Sequence, residues 1–383
     1  MDDDRRGPLA GIRVLDLTRS FPGGYCTSLL ADLGADVLKI EAPGTGDPLR
    51  QGLAEPDRAP AHGALNRAKR SMTLDLRRPG APAVLGRLAR GADVLIESAR
   101  PGAMAELGFG YEQAAVVNPG LIWCAITGFG SDGPYADRPG HDLTFLGQSG
   151  LLGAMATQMP WSPDTMVSVP VGALAAAVGV CAALVGRARD GKGCFVDASI
   201  SDAATWMLGG IPSRFSGVAS RMGETAGRRV YRCGDGRYVT VAAAETRTWR
   251  ALCDALGAPD LVDRLVAAPA EQEAMTRRFE ALFATRPAAD WVADLGRLGT
   301  TVGPVLEDAD LLRDPHAVAR GALVDVDGLH VPANPLRLRD VDGPRSTTRR
   351  EPAPALGRDT ESALRDAGFS AAEIAGLRAS GTC

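Results

Sequence analysis

Gly11-Ile-Arg-Val-Leu-Asp-Leu17, Pro22-Gly-Gly24, Tyr25-Cys-Thr-Ser-Leu-Leu-Ala-Asp-Leu33, Gly34-Ala-Asp36 and Val37-Leu-Lys-Ile-Glu41 follow one another at the start of the chain. The first and last of these runs are short, apolar and rich in β-branched residues, so both read as buried strands. Pro22 and the two glycines break the first strand. The run from Tyr25 has helical spacing, and Gly34 ends it. Two strands joined by one helix pair in parallel, because a parallel pair needs a crossover connection. The glycines lack the G-x-G-x-x-G spacing, so no dinucleotide cofactor follows from them.

The same unit recurs outward from this stretch. A loop with Pro43-Gly-Thr-Gly-Asp47 leads to the basic cluster Asn66-Arg-Ala-Lys-Arg70. Ser71 to Leu76, Ala92 to Glu97 and Leu121 to Ile126 read as further strands, with a helix near Ala81 to Arg90 and another opened by Arg100-Pro-Gly102. Residues 1–204 thus read as a large Rossmann-like α/β domain with an open, helix-covered sheet. Such sheets bind ligands beyond the carboxyl ends of their strands.

The character changes after Ala204. Residues 205–225 read as a linker and 226–335 as a smaller α+β domain. A hairpin is expected from Arg228 to Val241 around Gly234-Asp-Gly236, with Glu245 at the strand end. Helices are expected at Trp249 to Leu256, Glu271 to Ala284 and Ala288 to Leu298, and a second hairpin around Asp327-Gly328. Residues 336–383 read as a return segment packing on the large domain, with helical spacing at Leu364, Ala367, Ile374 and Leu377.

At 383 residues the chain is long enough for two cores. A net charge of −4 and an aromatic content of 5% argue against a nucleic-acid partner. Seven scattered cysteines without a C-x-x-C pair suit reduced thiols, and the polar Met1-Asp-Asp-Asp-Arg-Arg6 is unlike a signal peptide. The apolar run Val169 to Val185 reads as a buried helix, so no membrane is expected and the localisation expected is cytoplasmic. His62, His316 and His330 are dispersed, without metal-ligand spacing.

Thr127-Gly-Phe-Gly130 and Arg138-Pro-Gly140 deliver a His-Asp pair, His141-Asp142, to the first turn of a helix running from Leu143. Two readings stand side by side: Asp142 caps a helix beside a surface imidazole, or the pair forms a site where orphan backbone N–H groups favour an anion. Cys26, near a helix start, reads as small-residue packing, with a nucleophilic thiol the alternative. Met155 and Met159 lie near the His-Asp pair and read as the lining of an apolar pocket, or as plain core.

Taken in order, these segments resemble the superfamily of alpha-methylacyl-CoA racemases and family III CoA-transferases. The pieces that carry the resemblance are Leu30-Ala-Asp-Leu-Gly-Ala-Asp-Val37, Ile40-Glu-Ala-Pro-Gly44, Asn66 to Arg70, Arg100-Pro-Gly102, Gly108-Phe-Gly-Tyr111, Thr127 to Gly130, Gly140-His-Asp142, Gly191-Lys-Gly193 and Asp314 to Gly321. The resemblance implies an interlocked homodimer and an acyl-CoA, or a carrier-protein thioester, as ligand, with coenzyme A part of the substrate and no permanent cofactor. It places Lys39, Arg67, Lys69, Arg70 and Arg100 on segments that contact CoA. It assigns His141 as base and Glu245 as its orienting partner, with Asp142 beside them in the catalytic group.

One expected group is absent. The resemblance implies a carboxylate just before the Ala/Gly-rich helix, the second acid in racemases and the nucleophile in transferases. From Thr165 to Arg189 the chain has none, and Ser168 is the nearest hydroxyl. A Gln of the transferases' first loop reads Phe21 here. Three readings follow: α-proton (enolate) chemistry such as racemisation or isomerisation with His141 as base, the other face served by water or Asp164; CoA transfer between carboxylic acids; or acyl-CoA binding without turnover.

Overall fold

The computed structural model describes residues 7–51, 59–155, 159–211, 225–340, 343–345 and 347–383. The chain divides into two units, residues 1–209 with 319–383, and residues 210–318.

In the large unit β1 (Arg13–Asp16), α1 (Ser20–Asp32), β2 (Asp36–Glu41), α2 (Pro60–Asn66), β3 (Arg70–Thr73), α3 (Ala81–Arg90) and β4 (Val94–Glu97) alternate. They continue through α4 (Ala103–Glu106), α5 (Tyr111–Val117), β5 (Ile122–Thr127), α6 (Asp142–Gln148), α7 (Leu151–Met155), α8 (Ser168–Asp190), β6 (Phe195–Ser199) and α9 (Ile200–Trp206). The six strands lie in the order β3-β2-β1-β4-β5-β6, all parallel. This is the doubly wound arrangement expected of the opening stretch.

Side chains alternate strictly between two cores, as a sheet covered on both faces requires. Leu15, Leu38, Leu95 and Trp123 enter one core with Val84, Leu85, Leu88 and Ala114. Val14, Val37, Val94, Ile96, Ile122 and Cys124 enter the other with Leu30, Ala173, Ala176 and Val180. Truncating a fully buried member such as Leu95 to Ala costs about 2–5 kcal/mol. α8 packs on α1, β5, β6 and α9, yet it also exposes Leu174, Val178 and Val185. The helix read as buried from its composition is thus buried on one face only.

The small unit contains β7 (Arg228–Arg232), β8 (Tyr238–Ala242), α10 (Thr246–Ala255), α11 (Pro269–Phe283), α12 (Ala288–Arg297), β9 (Val302–Pro304) and α13 (Asp308–Leu311). β7, β8 and β9 form an antiparallel sheet, so the hairpin gains a third strand. Its core gathers Tyr231, Trp249, Phe279, Phe283 and Trp291, a large share of the chain's few aromatics. The polar edges of both tryptophans are satisfied: Trp249 Nε1 donates to the Leu261 carbonyl at 2.9 Å and Trp291 Nε1 to that of Phe283 at 3.0 Å.

After α14 (Pro315–Arg320), the hairpin β10 (Leu323–Val326) and β11 (Leu329–Pro332) belongs to the large unit rather than to the smaller domain expected over 226–335. The physical reason is its own small core, in which Val324, Val326 and Val331 pack with Leu329 and with Ala64 of α2. β12 (Leu338–Asp340) and β13 (Gly343–Arg345) form another hairpin. α15 (Thr360–Asp366) and α16 (Ala371–Ala379) then place Ala363, Leu364 and Ile374 in the first core, so the return segment closes one face of the sheet. Of the expected linker 205–225, residues 205 and 206 finish α9, and 212–224 lie outside the described residues.

Candidate functional site

The loops beyond the carboxyl ends of β1, β4 and β5 are built tightly. After β1, Gly23 approaches Thr18 so closely that an added Cβ would lie 1.7 Å from the hydroxyl oxygen. Ser20 adopts a left-handed φ of 65°, a conformation that costs an L-residue about 1–2 kcal/mol. It is held there by its N–H bonding to Asp47 Oδ2 at 3.1 Å. The Arg19 N–H reaches Ser98 Oγ at 3.0 Å, tying the β1 loop to the β4 loop.

The β5 loop explains the two glycine motifs of the sequence. The Phe145 ring of α6 lies against both Gly128 and Gly140, and a Cβ on either would stand 2.4 Å from it. The ring also meets Phe129 edge-on at 5.1 Å between centroids. Phe145 thereby pins the residue before His141. His141 is the N-cap of α6 in extended backbone, and its exposed imidazole makes no cap hydrogen bond.

Asp142 has a different task from the catalytic one expected of it. Its Oδ1 accepts the Val169 N–H at 2.8 Å and the Ser168 hydroxyl at 2.9 Å, and both oxygens accept the Val167 N–H at 3.1 Å. Ser168 Oγ also lies 2.8 Å from the Asp142 carbonyl oxygen. The acid at the start of α6 therefore caps α8, whose first N–H groups would otherwise be orphaned. A carboxylate thus stands in space where the chain lacks one in sequence, but it is committed to three donors.

Three cations expected along the CoA path turn inward. Lys39 Nζ lies 3.0 Å from Asp47 Oδ2 and 3.8 Å from Asp16 Oδ2. Lys69 Nζ lies 3.3 Å from Asp16 Oδ2, 2.6 Å from Thr27 Oγ1 and 2.8 Å from Asn66 Oδ1. Arg67 pairs with Asp32 of α1. All three are buried, the lysines almost completely. Burial alone would raise the Asp16 carboxyl, but Lys39 and Lys69 outweigh it and hold it at about 2. Burial lowers Lys69 to about 8 against the pull of Asp16. These cations are internal counter-ions rather than open phosphate ligands, because a buried carboxylate is tolerated only when paired.

Of the remaining two, Arg70 stands at the amino end of β3, away from the carboxyl-end loops, and pairs with Asp36 at 3.5 Å and Asp366 at 3.0 Å. Arg100 is exposed in the β4 loop, paired with Glu106. Glu245 belongs to the small unit, where it is the exposed N-cap of α10 and its carboxylate makes no cap hydrogen bond. Cys26 is fully buried, and burial pushes its thiol well above the usual range, which favours packing over nucleophilic attack.

Two further titratable groups are buried, Glu97, read from sequence only as a strand end, and His62, read only as a dispersed histidine. Glu97 ends β4, and burial raises its carboxyl to about 7 although it accepts the Ala99 N–H at 2.5 Å. His62 of α2 is fully buried; burial, with Arg50 adding to it, lowers it to about 4. Its Nδ1 lies 3.0 Å from Asn66 Nδ2, and its Nε2 has no partner among the described residues. A carboxylate closing an apolar strand run at the ligand-binding end of the sheet was the available clue to Glu97.

The sequence profile of CoA-transferase family III matches residues 9–360. The chain belongs to CoA-transferase family III. The acetyl-CoA:oxalate CoA-transferase of Acetobacter aceti is 34% identical over 393 residues, which span 96% of this chain and 97% of that protein. Human alpha-methylacyl-CoA racemase is 29% identical, over 96% of this chain and 95% of its own. A crystal structure of a CAIB/BAIF family protein from Brucella suis superposes with a TM-score of 0.81 at 28% identity, covering 94% of this chain and 99% of that one. Family III thus supplies both transferases and racemases as relatives, and acyl-CoA is common to their names.

Proposed function

We propose that this family III protein carries out α-proton chemistry on an acyl-CoA thioester, with His141 as the base. The observation that carries the reading is the division of labour at the start of α6. The His141 imidazole is exposed and makes no cap hydrogen bond, whereas the adjacent Asp142 carboxylate is spent on the Val167, Ser168 and Val169 donors. A thioester carbonyl acidifies the hydrogen on its α-carbon, and an imidazole titrates close enough to neutral pH to remove it. Return of a solvent-exchanged proton to the same face of the α-carbon gives exchange with retention, and its delivery to another carbon of an unsaturated chain gives isomerisation. Racemisation needs a donor on the opposite face, a part open to water or to the exposed Asp164. Arg100 is assigned a contact with the CoA phosphates. The expected homodimer would cover the apolar residues exposed on α8.

CoA transfer between carboxylic acids is the second reading, favoured by the identity with the Acetobacter transferase. It requires a carboxylate free to attack the thioester. Incubating the protein with a 2-methylacyl-CoA in deuterium oxide and following the α-carbon by mass spectrometry tests the proposal. Deuterium wash-in that falls at least about 100-fold in His141→Ala supports it. No wash-in, with CoA moved onto a free acid, replaces it by the second reading. Thioester binding without either leaves an acyl-CoA-binding protein.

A further inference from the structure

Two clefts open on the large unit at the amino ends of β1, β2 and β3, the opposite end from the loops just described. They are half-open grooves of about 580 and 720 Å³ that share Arg13, Asp36 and Arg70, so they run into one another. Each volume lies in the range of small-molecule sites. The last turn of α3 adds Arg87 and Arg90 to one cleft, and the return segment adds Arg349 and Arg358 to the other. Six arginines thus line the groove with three carboxylates, Asp36, Asp366 and Glu351, while Glu373 and Asp359 pair with two of the arginines from beside it, which leaves a surplus of one positive charge.

The arginines are not alike. Arg70 holds Asp36 and Asp366, Arg87 lies 2.7 Å from Glu373, Arg349 pairs with Glu351, and Arg358 lies 3.3 Å from Asp359. Arg13 and Arg90 are exposed, and among the described residues neither guanidinium has an ion pair or a hydrogen bond. Two uncommitted guanidinium groups on one concave wall are a receptor for an anion with more than one charge. Their planar forks match phosphate oxygens in pairs. Half-buried Ala367 lines the same cleft beside the core residues Leu88 and Ala363, so the wall also offers a small apolar surface to an uncharged body.

We infer that this groove binds a phosphorylated small molecule of nucleotide size, its phosphates on Arg13 and Arg90 and its body against the α3–α15 wall. The site is separate from the acyl-CoA site proposed above. Strand β1 alone, four residues long, sets the two ends of the sheet about 13 Å apart. The inference does not rest on the reaction assigned to His141.

The test is calorimetric titration of ATP into the full-length protein already saturated with CoA, so that a thioester site that accepts the nucleotide part of CoA is filled. The expected result is one further equivalent of ATP, bound at least tenfold more weakly by the double variant Arg13→Glu, Arg90→Glu, with CoA affinity unchanged. Arg90→Gln, a milder change on an exposed side chain, should weaken ATP several-fold, and unaltered thermal melting shows that both variants fold. No ATP heat in the presence of CoA overturns the inference, as does ATP binding that survives the double variant. Tripolyphosphate binding as tightly as ATP overturns the assignment of an organic body to the apolar wall. Failure of CoA itself to bind would count against the acyl-CoA reading and leave this one standing on the ATP result.

Discussion

Asp142 and Ser168 meet across 26 residues of sequence, the serine hydroxyl donating to the carboxylate at 2.9 Å. One acid at the start of α6 thereby fixes the start of α8. The residue next to the proposed base is thus a positioning residue, and the rigidity of the loop before it has a stated cause.

Replacing Asp142 by Ala orphans the Val167 and Val169 N–H groups and should destabilise the protein by about 2–3 kcal/mol; Ser168→Ala, which removes one hydroxyl donor, should cost about 1 kcal/mol. Urea denaturation measures both. Ser168→Asp sets a second carboxylate beside the first, and like charges at that range repel. The variant should lose stability as pH rises and regain it when Asp142→Asn is added. Equal stability of Ser168→Asp with and without Asp142→Asn would contradict the shared cap.

His62 and Glu97 give opposite pH slopes. The folded His62 titrates near 4 against an ordinary 6.5, so between those values the unfolded chain binds more protons and stability falls as pH drops. The folded Glu97 titrates near 7 against 4.5, so there the folded protein binds more protons and stability falls as pH rises. Each effect amounts to at most about 3 kcal/mol. In the wild type the two largely cancel between pH 4.5 and 6.5. His62→Gln should expose the downward slope with rising pH and Glu97→Gln the upward one, read from denaturation midpoints at pH 4.5, 5.5 and 6.5. Parallel curves for the three proteins would refute the assignment.

Lys69→Met removes the nearer cation from Asp16 and leaves that buried carboxylate with Lys39 at 3.8 Å. The expected loss is about 3–5 kcal/mol by denaturant melting. Arg100→Ala breaks an exposed pair and should cost less than about 1 kcal/mol. The same variant should raise KM for acyl-CoA about tenfold with kcat little changed. A stability loss as large as that of Lys69→Met would reassign Arg100 to the fold.

The parallel sheet was legible because a strand covered on both faces must be apolar in both directions, and Val14, Leu15, Val37 and Leu38 satisfy that in a few residues. β6 escaped because Phe195-Val-Asp-Ala-Ser199 breaks the apolar run. Asp197 is kept there to accept the Ser131 N–H at 2.9 Å, a partner far away in sequence. The inward turn of the lysines was not legible because composition does not distinguish a buried cation from a solvated one. Lys39 carried a clue, since it interrupts Val37-Leu-Lys-Ile-Glu41 in a strand whose neighbours are all core, and such a cation needs an acid on the next strand. The Asp142 clamp was illegible for another reason: nothing local in Gly140-His-Asp142 says that the cap belongs to a helix beginning at Ser168.

The insertion of residues 210–318 within the large unit orders events on the ribosome. The aromatic core from Tyr231 to Val302 is fully synthesised well before α15 and α16 emerge. Until then the sheet face carrying Leu15, Leu95 and Trp123 lacks Ala363, Leu364 and Ile374, so a half-made chain presents a greasy surface that chaperones can hold. The inserted unit can finish folding while its host waits.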